Sequence, residues 1–137
     1  MTQTKPHEPD QDDLVRIDWE IAFFEGVLRR DPDYGAVMRV LAELYTRRGR
    51  HADGLRLDRR ITSLYPEDAI AHYNLACSLA LTNDLNGAFS ALEDAWRLGY
   101  RDLSWLKRDP DLRSVRRDPR YEEFLRERAS EAASSSA

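Results

Sequence analysis

The chain reads as an all-α protein built from antiparallel helix pairs. Three observations predict this class. Apolar residues recur at steps of three and four through most of the 137 residues. Asp, Pro and Gly punctuate those runs at intervals suited to helix ends. No segment alternates apolar and polar residues at the period of a strand.

Each element follows in order. Residues 1–12 are polar, acidic and without periodicity, and are expected to form a disordered arm. A helix should begin near Asp13, with Leu14, Ile17, Ile21, Phe24 and Leu28 as one stripe, and stop at Asp31-Pro32. The next helix covers "YGAVMRVLAELYTRR", with Val37, Val40, Leu41, Leu44 and Tyr45 inward and Gly49 as its terminator. A third, "HADGLRLDRRITSLY", ends before Pro66. A fourth, "PEDAIAHYNLACSLAL", opens on acids that suit the positive helix end. Asp84 can cap a fifth, "LNGAFSALEDAWRL", which Gly99 closes. Beyond it the pieces shorten. Asp109-Pro110 and Asp118-Pro119 can each cap and open a helix, giving short helices near 103–107 and 111–116 and a longer one near 119–128. Residues 129–137 are small and polar and are expected to be a disordered tail.

A shift of 34 residues brings Leu41 onto Leu75, Ala42 onto Ala76, Gly54 onto Ala88, Leu55 onto Phe89 and Leu64 onto Leu98. The reverse shift brings Pro66 onto Pro32. A helix-turn-helix unit of this period, with small residues at two set places and a closing proline, resembles the tetratricopeptide repeat. The resemblance divides a single domain, 13–128, into an orphan helix at 13–34, full repeats at 35–68 and 69–102, and capping helices at 103–128. It implies a short right-handed superhelical stack. The stretch "LGYRDLSWLKRDPDLRSVRRDPRYEEFL" is similar to the segment that closes many bacterial arrays of this family. Trp105, Leu106, Leu112, Val115, Tyr121, Phe124 and Leu125 would then cover the last repeat. Small residues at Ala42, Gly54, Ala76 and Ala88 would let helix backbones approach where they cross.

Three positions depart from the family pattern. Tyr100 stands where a closing proline is expected, Glu20 where a small residue is usual, and Asp58 where a large apolar one is usual. Asp58 is expected to be half-exposed and paired with an arginine.

Composition narrows the function classes. A net charge of −4 argues against a dedicated nucleic-acid binder. No stretch approaches bilayer-spanning length, so no membrane association is expected. A single cysteine, Cys77, allows no intrachain disulfide, and "MTQTKPHEPDQDD" lacks the apolar core of a signal peptide. A cytoplasmic location is the expectation. Catalytic chemistry finds no foothold. His72 and Cys77 are five residues apart, about 140° round a helix, and do not face one another. The three histidines lack metal-ligand spacing, and the glycines form no phosphate loop. No catalytic residue, cofactor or metal is expected, and the chain reads as a non-enzymatic adaptor.

The resemblance implies a concave groove lined by the first helix of each unit. Carried over by position, that groove presents Arg39, Glu43 and Arg47, then Ile70, Tyr73, Asn74, Cys77 and Leu81, with Ser104, Lys107 and Arg108 beyond. Asn74 and Arg108 match places where some relatives grip a peptide carboxylate, but Glu43 stands where that clamp needs an asparagine. The apolar wall at 70–81 either takes a partner segment or lies under the chain's own C-terminal segment. A second surface is suggested by Trp19 and Phe23, four apart and away from the inward stripe. They are expected to bind another chain, with a homodimer as one outcome, or else to lie under the arm or the C-terminal segment.

Overall fold

The computed structural model describes residues 8–135, which contain eight α-helices and one 3₁₀ turn and no strand. The helices are α1 (Gln11–Arg30), α2 (Gly35–Arg48), α3 (His51–Leu64), α4 (Ala69–Leu81), α5 (Leu85–Arg97), α6 (Leu103–Leu106), α7 (Arg113–Arg117) and α8 (Arg120–Ser135), with the turn at Pro110–Leu112. The all-α class and the packing of neighbouring helices in pairs agree with the sequence reading.

Aspartates cap four of these helices. Asp10 and Asp13 form a reciprocal capping box, so α1 opens at Gln11. The side chains of Asp68, Asp84 and Asp102 accept from the backbone N–H groups of Ala71, Gly87 and Trp105 at 3.1, 2.8 and 3.0 Å. Each satisfies an N–H that the first helical turn leaves without a partner. Gly49 ends α2 at φ 82°, and Gly99 follows α5 at φ 116°. Both lie in the left-handed region that a Cβ disfavours.

Contacts divide the chain into two compact units, Met1–Leu57 and Asp58–Ala137, with the boundary inside α3. In the first unit α1 packs antiparallel on α2. Ile17 and Ile21 meet Leu41, Leu44 and Tyr45, with Phe24, Leu28 and Leu57 around them. Arg48 Nε donates to Asp18 at 2.7 Å, and the Tyr45 hydroxyl donates to Glu25 at 2.8 Å. A Cβ added to Gly54 would stand 3.7 Å from the Ala42 carbonyl oxygen, so the helix backbones are close there. Val40 departs from the inward stripe: it is 43% exposed, while Met38 is fully buried. The α2 stripe is therefore rotated toward Met38, whose unbranched chain adapts to an irregular gap.

In the second unit α4 and α5 form a hairpin across Thr82–Asp84, and Ala76, Ala88 and Ala95 are each 0% exposed. The small side chains lie where the sequence places a helix crossing. The 3₁₀ turn and α7 pack back on α4, and α7 also touches α5. Leu106, Leu112, Val115, Tyr121 and Phe124 are buried and Leu125 is half-buried, but Trp105 is 40% exposed instead of covering the repeat. Phe89 meets Phe124 edge to face at 6.3 Å.

Two boundaries differ from expectation. Residues 1–7 of the expected arm lie outside the described residues, and Gln11 and Asp12 are already helical. The tail expected to be disordered from 129 is instead helical through Ser135, with 136–137 outside the described residues. "RERASEAA" consists mostly of good helix formers. A tertiary contact adds to that propensity: Trp96 Nε1 donates to Glu131 at 2.7 Å, and Arg128 pairs with Glu131 at 2.9 Å.

Candidate interaction surfaces

Along α4, Ile70, Asn74, Cys77 and Leu81 follow one another at helical spacing, with Tyr73 beside them. The structure separates these residues. Tyr73 and Cys77 are buried, at 5% and 7% exposure. The Tyr73 hydroxyl donates to Asp109 at 2.5 Å, and the Cys77 thiol lies 3.6 Å from the same oxygen. The second Asp109 oxygen accepts from the Asp111 N–H at 2.9 Å. The Tyr73 ring stacks on Tyr100 at 4.3 Å with 7° between planes. Neither Tyr73 nor Cys77 is therefore an open groove residue. Proline at Asp109-Pro110 turns the chain back so that a buried carboxylate meets them.

What remains open is the first turn of α4. Ile70 is 53% exposed, Asn74 is exposed, and Leu81 at the far end is half-buried. On the C-terminal segment of the same unit, Arg108 is exposed and its guanidinium lies 5.5 Å from the centre of the Trp105 ring. Ser104 and Lys107 are exposed as well. In the first unit, Arg39 is half-buried on α2 and Glu43 and Arg47 are exposed.

The buried polar groups of the second unit engage one another. Asp58, expected to be half-exposed, is 6% exposed and accepts from the Ser78 hydroxyl. Its buried state becomes tolerable because α4 brings a donor to it. Cys77 Sγ and carboxylate oxygens of Asp109 and Asp111 lie within 4.8 Å of one another, a spacing that could suit a divalent ion. The donor chemistry fits an ion poorly. Burial first, then the Asp109 charge, pushes the Cys77 thiol well above its ordinary range, which disfavours the thiolate a metal needs. Burial and the neighbouring acid likewise push the Tyr73 phenol up. Tyr73 and Cys77 keep their protons and point them at Asp109, and the group works as a hydrogen-bonded clasp. His72 Nε2 lies 2.8 Å from the Pro66 carbonyl oxygen, so it donates to the backbone.

Sequence reasoning named Tyr73 and Cys77 but missed Asp109 and Tyr100 as their neighbours, and Ser78 as the partner of Asp58. The only local sign was an aspartate before proline, which reads first as a helix cap.

The second surface is on α1. Trp19 and Phe23 are 67% and 53% exposed and stack at 5.6 Å with 9° between planes. Val15, one turn earlier, is 59% exposed. The opposite side of α1 carries Ile17 and Ile21 into the core of its unit. The rings are thus exposed on the outer side of α1.

The chain is similar to two plant proteins. A stretch of 63 residues is 36% identical to a chloroplastic protein of Arabidopsis thaliana, spanning 45% of this chain and 19% of that protein. A stretch of 76 residues is 36% identical to anaphase-promoting complex subunit 7 of Arabidopsis thaliana, spanning 56% of this chain and 13% of that subunit. This chain therefore covers less than a fifth of either relative's length. Together with the all-helical fold, the matches support a helical repeat. They give no support to the bacterial parallel drawn for the C-terminal segment, nor to a cytoplasmic location. No family model and no solved structure matches the chain. No helix among the described residues is long and apolar enough to cross a membrane.

Proposed function

We propose that this chain is a non-enzymatic protein–protein interaction module that binds a protein segment at the open turn of α4. The observation that carries this reading is the half-covered stripe on that helix. Asp109 closes over Tyr73 and Cys77, yet Ile70 remains 53% exposed beside the amide of Asn74. An exposed aliphatic side chain next to an orienting amide suits an extended or helical client. Apolar contact would supply affinity and the amide would fix register. Leu81 and Arg108 would extend the contact, and Arg39, Glu43 and Arg47 would offer a separate charged row on α2. One of the two similar plant proteins is by name a subunit of a protein complex, which agrees with a binding role. The buried Cys77 thiol is a poor nucleophile, which also agrees with a non-catalytic reading.

The test is an Ile70→Asp, Asn74→Ala double variant compared with wild type. Both side chains are exposed, so the variant should retain its helical spectrum and melting temperature. Partners captured by wild type are identified, and their segments titrated by fluorescence anisotropy. A client should bind the variant at least about tenfold more weakly. Equal affinity for both proteins would remove α4 as the working surface.

A second reading, a self-associating structural module with no peptide client, is favoured by a different observation, the exposed Trp19–Phe23 pair.

A further inference from the structure

The outer face of α1 carries more than two rings. Asp12, Trp19, Phe23 and Arg30 are separated by seven, four and seven residues. At about 100° per residue, all four fall within about 20° of the direction opposite Ile21, which is buried in the core. All four are exposed, and neither Asp12 nor Arg30 has a side-chain partner among the described residues. Along this line the chemistry runs acid, ring, ring, base, with symmetric spacing about position 21.

That order is self-complementary in one direction only. A two-fold axis crossing the helix at position 21 exchanges position 12 with 30 and position 19 with 23. Two antiparallel copies would place Asp12 of each against Arg30 of the other, at both ends of the contact. Between them, the stacked Trp19 and Phe23 of one copy would meet the same pair of the other. The flanking apolar residues follow the same symmetry, with Val15 opposite Val27. A parallel pair would instead set Asp12 against Asp12 and Arg30 against Arg30, which like charges oppose. Antiparallel helix dipoles also favour the first arrangement.

We propose that the outer face of α1 is the two-fold contact of an antiparallel homodimer, with Trp19 and Phe23 at its centre and Asp12–Arg30 pairs at its ends. This rests on the self-association reading and is independent of the α4 surface. From Asp12 to Arg30 the strip is about 27 Å long, and one helix width is less than a standard interface buries. Association is therefore transient and rises with concentration.

Sedimentation velocity across two decades of concentration, at low and at high salt, tests the proposal on the full chain. Wild type should form a dimer that weakens in high salt. Trp19→Ala with Phe23→Ala should weaken it by at least about tenfold. Asp12→Arg or Arg30→Asp alone sets like charges together at both ends and should weaken it about tenfold. Two restorations are specific to this geometry. The Asp12→Arg, Arg30→Asp double swap should recover dimer formation, and so should mixing the two single variants. Circular dichroism confirms that each variant remains helical. A wild type that is monomeric throughout overturns self-association as a whole. A dimer that the charge swaps leave unchanged, or that the double swap does not recover, overturns the antiparallel α1 contact while self-association stands.

Discussion

Replacing Tyr73 by Phe removes one hydroxyl from the buried clasp of the second unit and little else. The ring can keep its stacking on Tyr100, whose planes lie 7° apart. The hydroxyl donates at 2.5 Å to an oxygen of Asp109, a residue 4% exposed. Among the described residues the Cys77 thiol, at 3.6 Å, is the other donor at that oxygen, and S–H is a weak donor. The other oxygen is already engaged by the Asp111 N–H. A hydrogen bond to a charged acceptor contributes about 1.5–3 kcal/mol, and removing its donor leaves a buried acceptor short of partners. The expected loss is about 2 kcal/mol, a factor of about 30 in the unfolding equilibrium. Urea unfolding in a Trp19→Phe background, followed by the fluorescence of Trp96 and Trp105, reads the unit that contains the clasp. The same substitution in an Asp109→Ala background should cost less than about 0.5 kcal/mol, because the acceptor is gone. An equal loss in both backgrounds would refute the bond as the source, as would a loss below about 0.5 kcal/mol in the wild-type background.

Three further outcomes follow from the packing. Ala76→Leu and Ala88→Leu each force extra volume into sites that are 0% exposed and should each destabilise by about 1–3 kcal/mol in urea; neutral variants would show that the helices do not meet there. Burial, reinforced by Glu25, raises the Tyr45 phenol to about 12, so its contribution to stability is complete below the ordinary tyrosine range and lost as pH rises through about 12. Tyrosinate absorbance should show this late titration, and Glu25→Gln should move it down; an unchanged titration would remove Glu25 as a cause. Glu131→Ala breaks the contact from Trp96 and should speed amide exchange across 129–135 severalfold, while unchanged protection would mean that helix propensity alone orders the end of α8.

Much of the fold was legible because helix signals are local. Asp84 and Gly99 bracket α5 within one residue of the expected ends, since caps act on their own turn. The 34-residue spacing marked Ala76 and Ala88 as close-packed, and both are fully buried. The candidate site was less legible. Helical spacing put Tyr73 and Cys77 on one face with Ile70 and Asn74, but whether a face is wet depends on what comes to lie on it. Asp109 is 32 residues beyond Cys77, and no local pattern joins them.

The amino-acid order by itself determined where most of the helices begin and end and which positions must be small, because capping, proline geometry and apolar period act over a few residues. Only the tertiary structure decided which faces stay open. Asp58 found Ser78, Tyr73 found Asp109, and Trp96 found Glu131 through contacts 20 to 36 residues apart in the chain. Trp19 and Phe23 stack on one another and remain exposed. Burial and hydrogen-bond satisfaction depend on both partners at once, so they are properties of the folded arrangement and not of either local segment.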